Sequence, residues 1–320
     1  MIEADFPSTM VEFEEMLGTE EKCRAYLERQ KWPNGFVCPR CQGKVHWCLK
    51  TRNLWVCAEC QHQTSLTVGT YMEGTRKPLR HWFLTMYLVG SSRRGLSAKE
   101  LQRHLGCSYP TAWTWLHKLR KAMVDPDRKP LSGEVEVDES YIGGTEGGTR
   151  GRGAEKKTIM ICAVEKKEGG KSGRVRLGVI ENASKQKINE FLDGKVVVGS
   201  STHTDGWCGY SDLERSGYRH ILTVIQGSGF EAHELLPRVH RVFSLVKRWI
   251  LGTHQGSVSK KHLPIYLEEY TFRFNRRSAK KITHCFQRLI EGVVRAKGPF
   301  YWQIIGRKTA KQPLELAMVA

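Results

Sequence analysis

Glu134-Val-Glu-Val-Asp-Glu-Ser-Tyr-Ile-Gly-Gly144 decides how this chain is read. Val135 and Val137 alternate with Glu136 and Asp138, the two-residue period of a strand with one apolar and one polar face. Gly143 and Gly144 break the pattern. A carboxylate within a strand is costly unless it is exposed, paired or metal-bound, so Asp138 stands out chemically. Further strands are predicted over residues 157–165, 175–181, 200–204 and 220–225. Helices are predicted over 184–192, 210–215, 236–251, 260–275 and 283–295. Three strands in succession, then helix, strand, helix, strand and helix, predict an α/β domain with a mixed central sheet flanked by helices.

A second carboxylate, Asp205, ends the strand of Thr202-His-Thr-Asp-Gly-Trp207. Neighbouring strand ends can bring Asp138 and Asp205 within reach of one metal pair. On the following helix His240 and Lys247 lie seven residues apart, two turns, and so share a face. Two strand carboxylates, a helix-borne third ligand and a lysine are the layout of a two-metal phosphoryl-transfer site. Mg²⁺ and Mn²⁺ favour carboxylate and water ligands. The third ligand here is a histidine where a carboxylate is expected. Glu231 and Glu234 are the other acids nearby, both ahead of Pro237 in a predicted loop.

The chain has 320 residues and a net charge of +18, which selects a polyanionic partner, nucleic acid above all. No window approaches the roughly 18 apolar residues of a membrane helix. The first residues, Met-Ile-Glu-Ala-Asp-Phe-Pro, lack a basic-then-apolar signal pattern, so the expected compartment is the cytoplasm, with nucleoid association when DNA is bound. Of ten cysteines, four form Cys38-Pro-Arg-Cys41 and Cys57-Ala-Glu-Cys60. That spacing predicts a four-cysteine zinc ribbon, two knuckles completing a closed tetrahedral site whose metal supplies the folding energy. Cys23, Cys48, Cys107, Cys162, Cys208 and Cys285 are expected as core or bystander thiols, without disulfides.

Residues 9–30 read as helical, with Leu17, Tyr26 and Leu27 on an apolar face, and Trp32-Pro-Asn-Gly35 ends them. Ser97-Ala-Lys-Glu100 is a capping box opening one helix, Gly106-Cys107 is a turn, and Ser108 opens a helix rich in Thr, Trp, His, Lys and Arg. This sequence predicts a helix-turn-helix facing DNA; an ordinary hairpin with Trp113 and Leu116 in its core is the alternative. Asp125–Pro130 reads as a linker, and the glycine-rich, basic loop Gly143–Lys157 as a flexible DNA-facing hairpin loop. Lys247 and Arg248 are expected near phosphate. Arg273, Arg276 and Arg277, interleaved with Phe272 and Phe274, form a basic stripe on an aromatic-cored helix. The predicted organisation is an N-terminal helical segment (1–30), a zinc ribbon (31–66), a helix-turn-helix-like region (67–125), the α/β domain (131–296) and a tail (297–320).

The two cysteine pairs, Val-Glu-Val-Asp-Glu-Ser-Tyr-Ile-Gly-Gly, Thr-Asp-Gly-Trp-Cys-Gly-Tyr, Lys-Arg-Trp-Ile-Leu-Gly-Thr-His-Gln-Gly and Lys-His-Leu-Pro-Ile-Tyr-Leu-Glu-Glu-Tyr-Thr-Phe-Arg-Phe-Asn-Arg-Arg occur in this order. Together they resemble bacterial insertion-sequence transposases with an N-terminal zinc ribbon and a DDE-type, ribonuclease H-like catalytic domain. The resemblance covers roughly residues 20–290. It implies an enzyme that binds terminal inverted repeats of double-stranded DNA, cleaves with Mg²⁺ or Mn²⁺, and joins the freed 3′-hydroxyl to target DNA. It also implies a dimer or higher oligomer on DNA. By motif match Asp138 and Asp205 take the first two catalytic positions, His240 falls where the family often has glutamate, and Lys247 falls on the family's usual basic residue. A non-catalytic DNA-binding regulator or inactive relic, using only the ribbon and the helix-turn-helix, is the alternative.

Overall fold

The computed structural model describes residues 6–49, 51–143, 157–223, 232–256, 258–279 and 284–307. The chain divides into two compact units, Met1–Ser91 with Ala98–Ala122 and Thr283–Ala320, and Ser92–Ser97 with Met123–Ile282. Most of the loop after Gly143, and Glu231, lie outside the described residues.

The first unit opens with α1 (Met10–Leu17) and α2 (Glu20–Lys31), two helices where the sequence predicts one. The break falls at Gly18-Thr19. The Thr19 hydroxyl accepts from the Lys22 amide at 3.3 Å, starting a fresh helix as Thr9 starts the first. The ribbon follows as β1 (His46–Leu49), β2 (Leu54–Cys57) and β3 (Gln63–Thr64), an antiparallel three-stranded sheet in chain order. Glu28 of α2 accepts from the Trp55 indole at 3.0 Å, tying ribbon to helix. Next come α3 (Leu79–Ser91), α4 (Ala98–Leu105) and α5 (Tyr109–Ala122). Gly106, at φ 57°, makes the left-handed turn between the last two. On α5, Ala112, Trp115, Leu116 and Leu119 are buried, and so are His117, Lys118 and Arg120. Lys118 donates to the Tyr71 carbonyl at 3.0 Å. The exposed residues of α5 are Tyr109 and Pro110 in its first turn and Lys121 near its end.

The second unit is built on a five-stranded sheet of β4 (Glu134–Ile142), β5 (Thr158–Lys166), β6 (Ser172–Ile180), β7 (Ser201–Thr204) and β8 (Arg219–Leu222). Its order is β6-β5-β4-β7-β8, with β6, β5 and β4 antiparallel and β4, β7 and β8 parallel. A three-stranded meander continued by two parallel strands on its first strand is the ribonuclease H-like arrangement, as the sequence order predicts. One face is covered by α6 (Lys185–Leu192), with Ile188, Phe191 and Leu192 on Val135, Val137 and Ile161. After α7 (Ala232–Leu235), the other face receives α8 (Pro237–His254) and α9 (Leu263–Asn275), which bury Val239, Val242, Phe243 and Val246 with Tyr266, Leu267 and Tyr270 against Cys162, Val164 and Leu177. The helix predicted over 210–215 is instead a 3₁₀ turn at Cys208–Tyr210 followed by further turns. There Asp205 accepts from the Trp207 amide at 3.1 Å, and the Trp207 indole donates to Ala183 at 2.8 Å, so local turn bonds hold the chain away from helix.

The segment around residue 128 is held firmly. Arg128 grips Glu268 of α9 through two bonds of 2.5 and 2.9 Å, and Arg174 donates to the Lys129 and Pro130 carbonyls. The sequence reading runs the α/β domain to residue 296. In the structure α10 (His284–Arg295) belongs to the first unit, touching α2, α3 and α5, and α11 (Tyr301–Ile305) follows it there.

Candidate active site

Two groups of metal-binding side chains were expected, and the structure treats them differently. The four ribbon thiols converge. Cys38 Sγ lies 3.6 Å from Cys60 Sγ, Cys41 Sγ lies 3.5 Å from Cys57 Sγ, and all four lie within 4.8 Å of one another. Zinc–sulfur bonds of about 2.3 Å in a tetrahedron put the sulfurs roughly 3.8 Å apart, so the set fits a structural zinc. Gln42 and Gln61 follow the second knuckle cysteines with positive φ, the sharp turn each knuckle needs.

In the second unit the carboxylates are set by register. Glu134 pairs with Ser201, Val135 with Thr202 and Glu136 with His203 across the parallel β4–β7 pair. Continuing that register two residues brings Asp205 level with Asp138 on the neighbouring strand, with strands about 4.8 Å apart. Asp138 is 7% exposed, and its Oδ1 accepts from the Glu139 amide at 2.8 Å. Its Oδ2 lies 3.4 Å from His240 Nε2. Lys247 Nζ donates to Ser140 Oγ at 2.8 Å. Burial, then Lys157, holds that ammonium below the usual lysine range.

The contacts between β4 and α8 form a ladder. Glu136, Asp138 and Ser140 line one face of the strand, and they meet Arg238, His240 and Lys247 in the same order. Four strand residues span roughly 13 Å and nine helical residues about the same, so a helix running alongside the strand keeps pace with it. The bottom rung was not singled out as a pair from the sequence. Glu136, 3% exposed, accepts from the backbone N–H groups of Arg238 and Val239 at 2.8 and 3.1 Å, and from Arg238 Nη1 at 2.5 Å. A strand carboxylate thereby caps the first turn of α8, where the helix dipole favours negative charge. The signal was present in the polar repeat at 136, 138 and 140, but the partner lies about 100 residues away.

The three candidate ligands do not close up as the thiols do. Among the described residues only the four cysteines converge within 4.8 Å. Asp138 meets His240 directly, and Asp205 follows the last residue of β7, the strand next to β4. Glu234 is exposed on α7. On the far side of β4 the Tyr210 hydroxyl donates to Glu139 at 2.6 Å; burial, then that carboxylate, holds it well above the usual tyrosine range. Cys162 sits opposite Asp138 on β5, and full burial, then the Asp138 charge, pushes its thiol well up, leaving a neutral core residue.

The expected basic residues separate by environment. Arg248 is exposed on α8. Arg273 pairs with Glu269 at 2.8 Å, both side chains nearly covered, and donates to Ser92. Arg276 lies 4.0 Å over the Phe272 ring and Arg277 3.9 Å over Phe274; both rings are buried core. Arg277 also donates to the Ser172 and Gly173 carbonyls.

Two family models match the sequence, the ISXO2-like transposase domain over residues 130–275 and the transposase zinc-ribbon domain over residues 18–63, together more than half of the chain. The chain belongs to this transposase family. The matched ranges coincide with the ribbon and with the sheet, α8 and α9. No curated protein matches the sequence. Among solved structures, the catalytic core domain of BIV integrase is similar at 15% identity, over 47% of this chain and 86% of that one, with a TM-score of 0.30. The ribonuclease H-like assignment therefore stands on the strand order given above. No described helix is long and apolar enough to cross a membrane.

Proposed function

We propose that this transposase-family chain binds the terminal inverted repeats of an insertion sequence and catalyses divalent-metal-dependent cleavage and strand transfer of double-stranded DNA. The observation that carries the reading is His240 lying 3.4 Å from Asp138, with the parallel β4–β7 register running toward Asp205, which follows the last residue of β7.

The donor set suits a divalent cation. Asp138, Asp205 and His240 would hold it, and their open spacing leaves room for water and substrate oxygens. When bound, Mg²⁺ or Mn²⁺ activates the attacking oxygen and stabilises the leaving oxygen of an in-line displacement at phosphorus. The neutral imidazole of His240 makes the site one negative charge poorer than an all-carboxylate one and favours Mn²⁺ over Mg²⁺. The Glu139 amide fixes one Asp138 oxygen and leaves the other toward His240. Lys247, steadied by Ser140, places a positive charge for a phosphate near the scissile bond. Arg248 extends that basic surface. Two DNA ends require two copies, so the working form is a dimer or larger, acting in the cytoplasm on nucleoid DNA.

In vitro strand transfer with end-containing duplexes tests this. Asp138→Asn and Asp205→Asn should each abolish joining, by roughly 10⁴-fold or more, about 5 kcal/mol of transition-state stabilisation. End binding should persist. Retained joining in either variant removes the assignment. End binding by the wild-type protein without metal-dependent nicking would instead identify a DNA-binding regulator.

A further inference from the structure

One cavity lies away from the carboxylates. It has a volume of about 640 Å³ and is walled by the β5–β6 hairpin, the first two turns of α8 and the end of α9. Six cations line it: Lys167, Lys171, Arg174, Arg238, Arg241 and Arg277. No carboxylate stands among its described lining residues. Behind the wall, Glu136 answers Arg238 and Glu165 answers Arg174. Lys167, Lys171, Arg241 and Arg277 have no carboxylate partner of this kind among the described residues. Like charges gathered around one concavity repel each other unless an anion enters. Consistent with this, burial, and to a lesser degree the nearby Arg241, hold the Arg277 guanidinium below the usual arginine range.

The cavity is built and has a fixed position. Arg277 stacks on Phe274 and bonds to Ser172 and Gly173, locking the end of α9 to the hairpin. Asn275 satisfies both backbone groups of Val175 at 2.8 and 3.1 Å, closing part of the edge of β6. On α8 the stripe Arg238, Arg241 and Leu245 lies roughly 145° around the helix from His240 and Lys247. Along β4 the hairpin end is level with Glu134, on the order of 13 Å from Asp138. The lining offers cationic donors, while its aromatic ring is already covered by Arg277, so bases have little to stack on.

We infer that this cleft holds the phosphate backbone of DNA at a point removed from the reacting phosphate, without reading sequence. It rests on the proposed function only in taking DNA as the substrate. Backbone neutralisation of this kind positions a duplex and makes affinity salt-dependent.

The test uses the full-length, zinc-loaded protein without added Mg²⁺ or Mn²⁺. Binding of short fluorescein-labelled duplexes of two unrelated sequences is followed by anisotropy across a KCl series. Lys171→Gln/Arg241→Gln, both exposed positions, should flatten the slope of log affinity against log salt by roughly 2, about one per phosphate contact, equally for both duplexes. Lys167→Gln/Lys171→Gln, confined to the hairpin, should do the same and guards against a local effect on α8. Wild-type slope and affinity in both double variants would overturn the cleft, as would a loss confined to one duplex. Because no joining step is involved, failed strand transfer with a reduced slope would remove the transposase chemistry and leave the cleft standing.

Discussion

The ribbon cysteines and the proposed carboxylate site differ in how they are built, one closed and the other open. Cys38, Cys41, Cys57 and Cys60 come from two turns in a short stretch of chain, and their sulfurs already sit at metal-bound spacing. Asp138, Asp205 and His240 come from a strand, the residue after a strand and a helix, spread over about 100 residues; Asp138 and His240 meet, but the three do not close into one tight cluster among the described residues. That is the contrast expected between a metal that folds a module and the catalytic metal proposed above. The first needs all its coordination sites filled by protein, whereas the second must leave sites for water and substrate.

The sharpest way to break this comparison is to remove the zinc. Chelation, or Cys41→Ser, should unfold the three ribbon strands, a loss of order 10 kcal/mol of metal-dependent stability at neutral pH. Amide exchange should show β1–β3 losing protection while β4–β8 keep theirs. Loss of protection across the central sheet would mean the ribbon is not the separate folding element described here. A second test concerns what holds the open site. Glu136→Gln removes the charge of a buried pair and leaves α8 only a neutral cap, and should cost about 3–5 kcal/mol in urea unfolding. Glu136→Leu/Arg238→Met should recover most of that loss, which a purely steric role for Glu136 would not allow. The smallest effect is expected at the third ligand. His240→Ala should lower strand transfer about tenfold to a hundredfold. His240→Glu should retain activity and shift its preference from Mn²⁺ toward Mg²⁺. An unchanged metal preference in His240→Glu would take residue 240 out of the site.

Much of this molecule was legible from local patterns. The ribbon followed from cysteine spacing, and the central sheet from the alternation around Asp138 and the order of strands and helices. Asp138 and His240, selected from pattern and resemblance, do meet. What stayed hidden depends on partners distant in sequence. Glu136 read as one more polar residue on a strand face until Arg238 arrived beside it from the other end of the domain. Arg273 read as part of a basic stripe, and its pairing with Glu269 one turn earlier placed it in the interior. Lys118 and Arg120 counted toward the basic character of the second helix of the pair, and burial removes those two side chains from its surface. Charge counts alone do not distinguish a guanidinium that holds a fold together from one that meets a phosphate.

The ladder between β4 and α8 has one more consequence. Same-face residues on a strand repeat every 6.7 Å or so, while a helix repeats every 5.4 Å. The two scales work as a vernier, with marks that coincide in only one setting. If α8 slid by a single turn, no second alignment would restore all three contacts with Glu136, Asp138 and Ser140 together. The capped end therefore sets the zero of the scale, and the placement of His240 and Lys247 is a distance measured from Glu136.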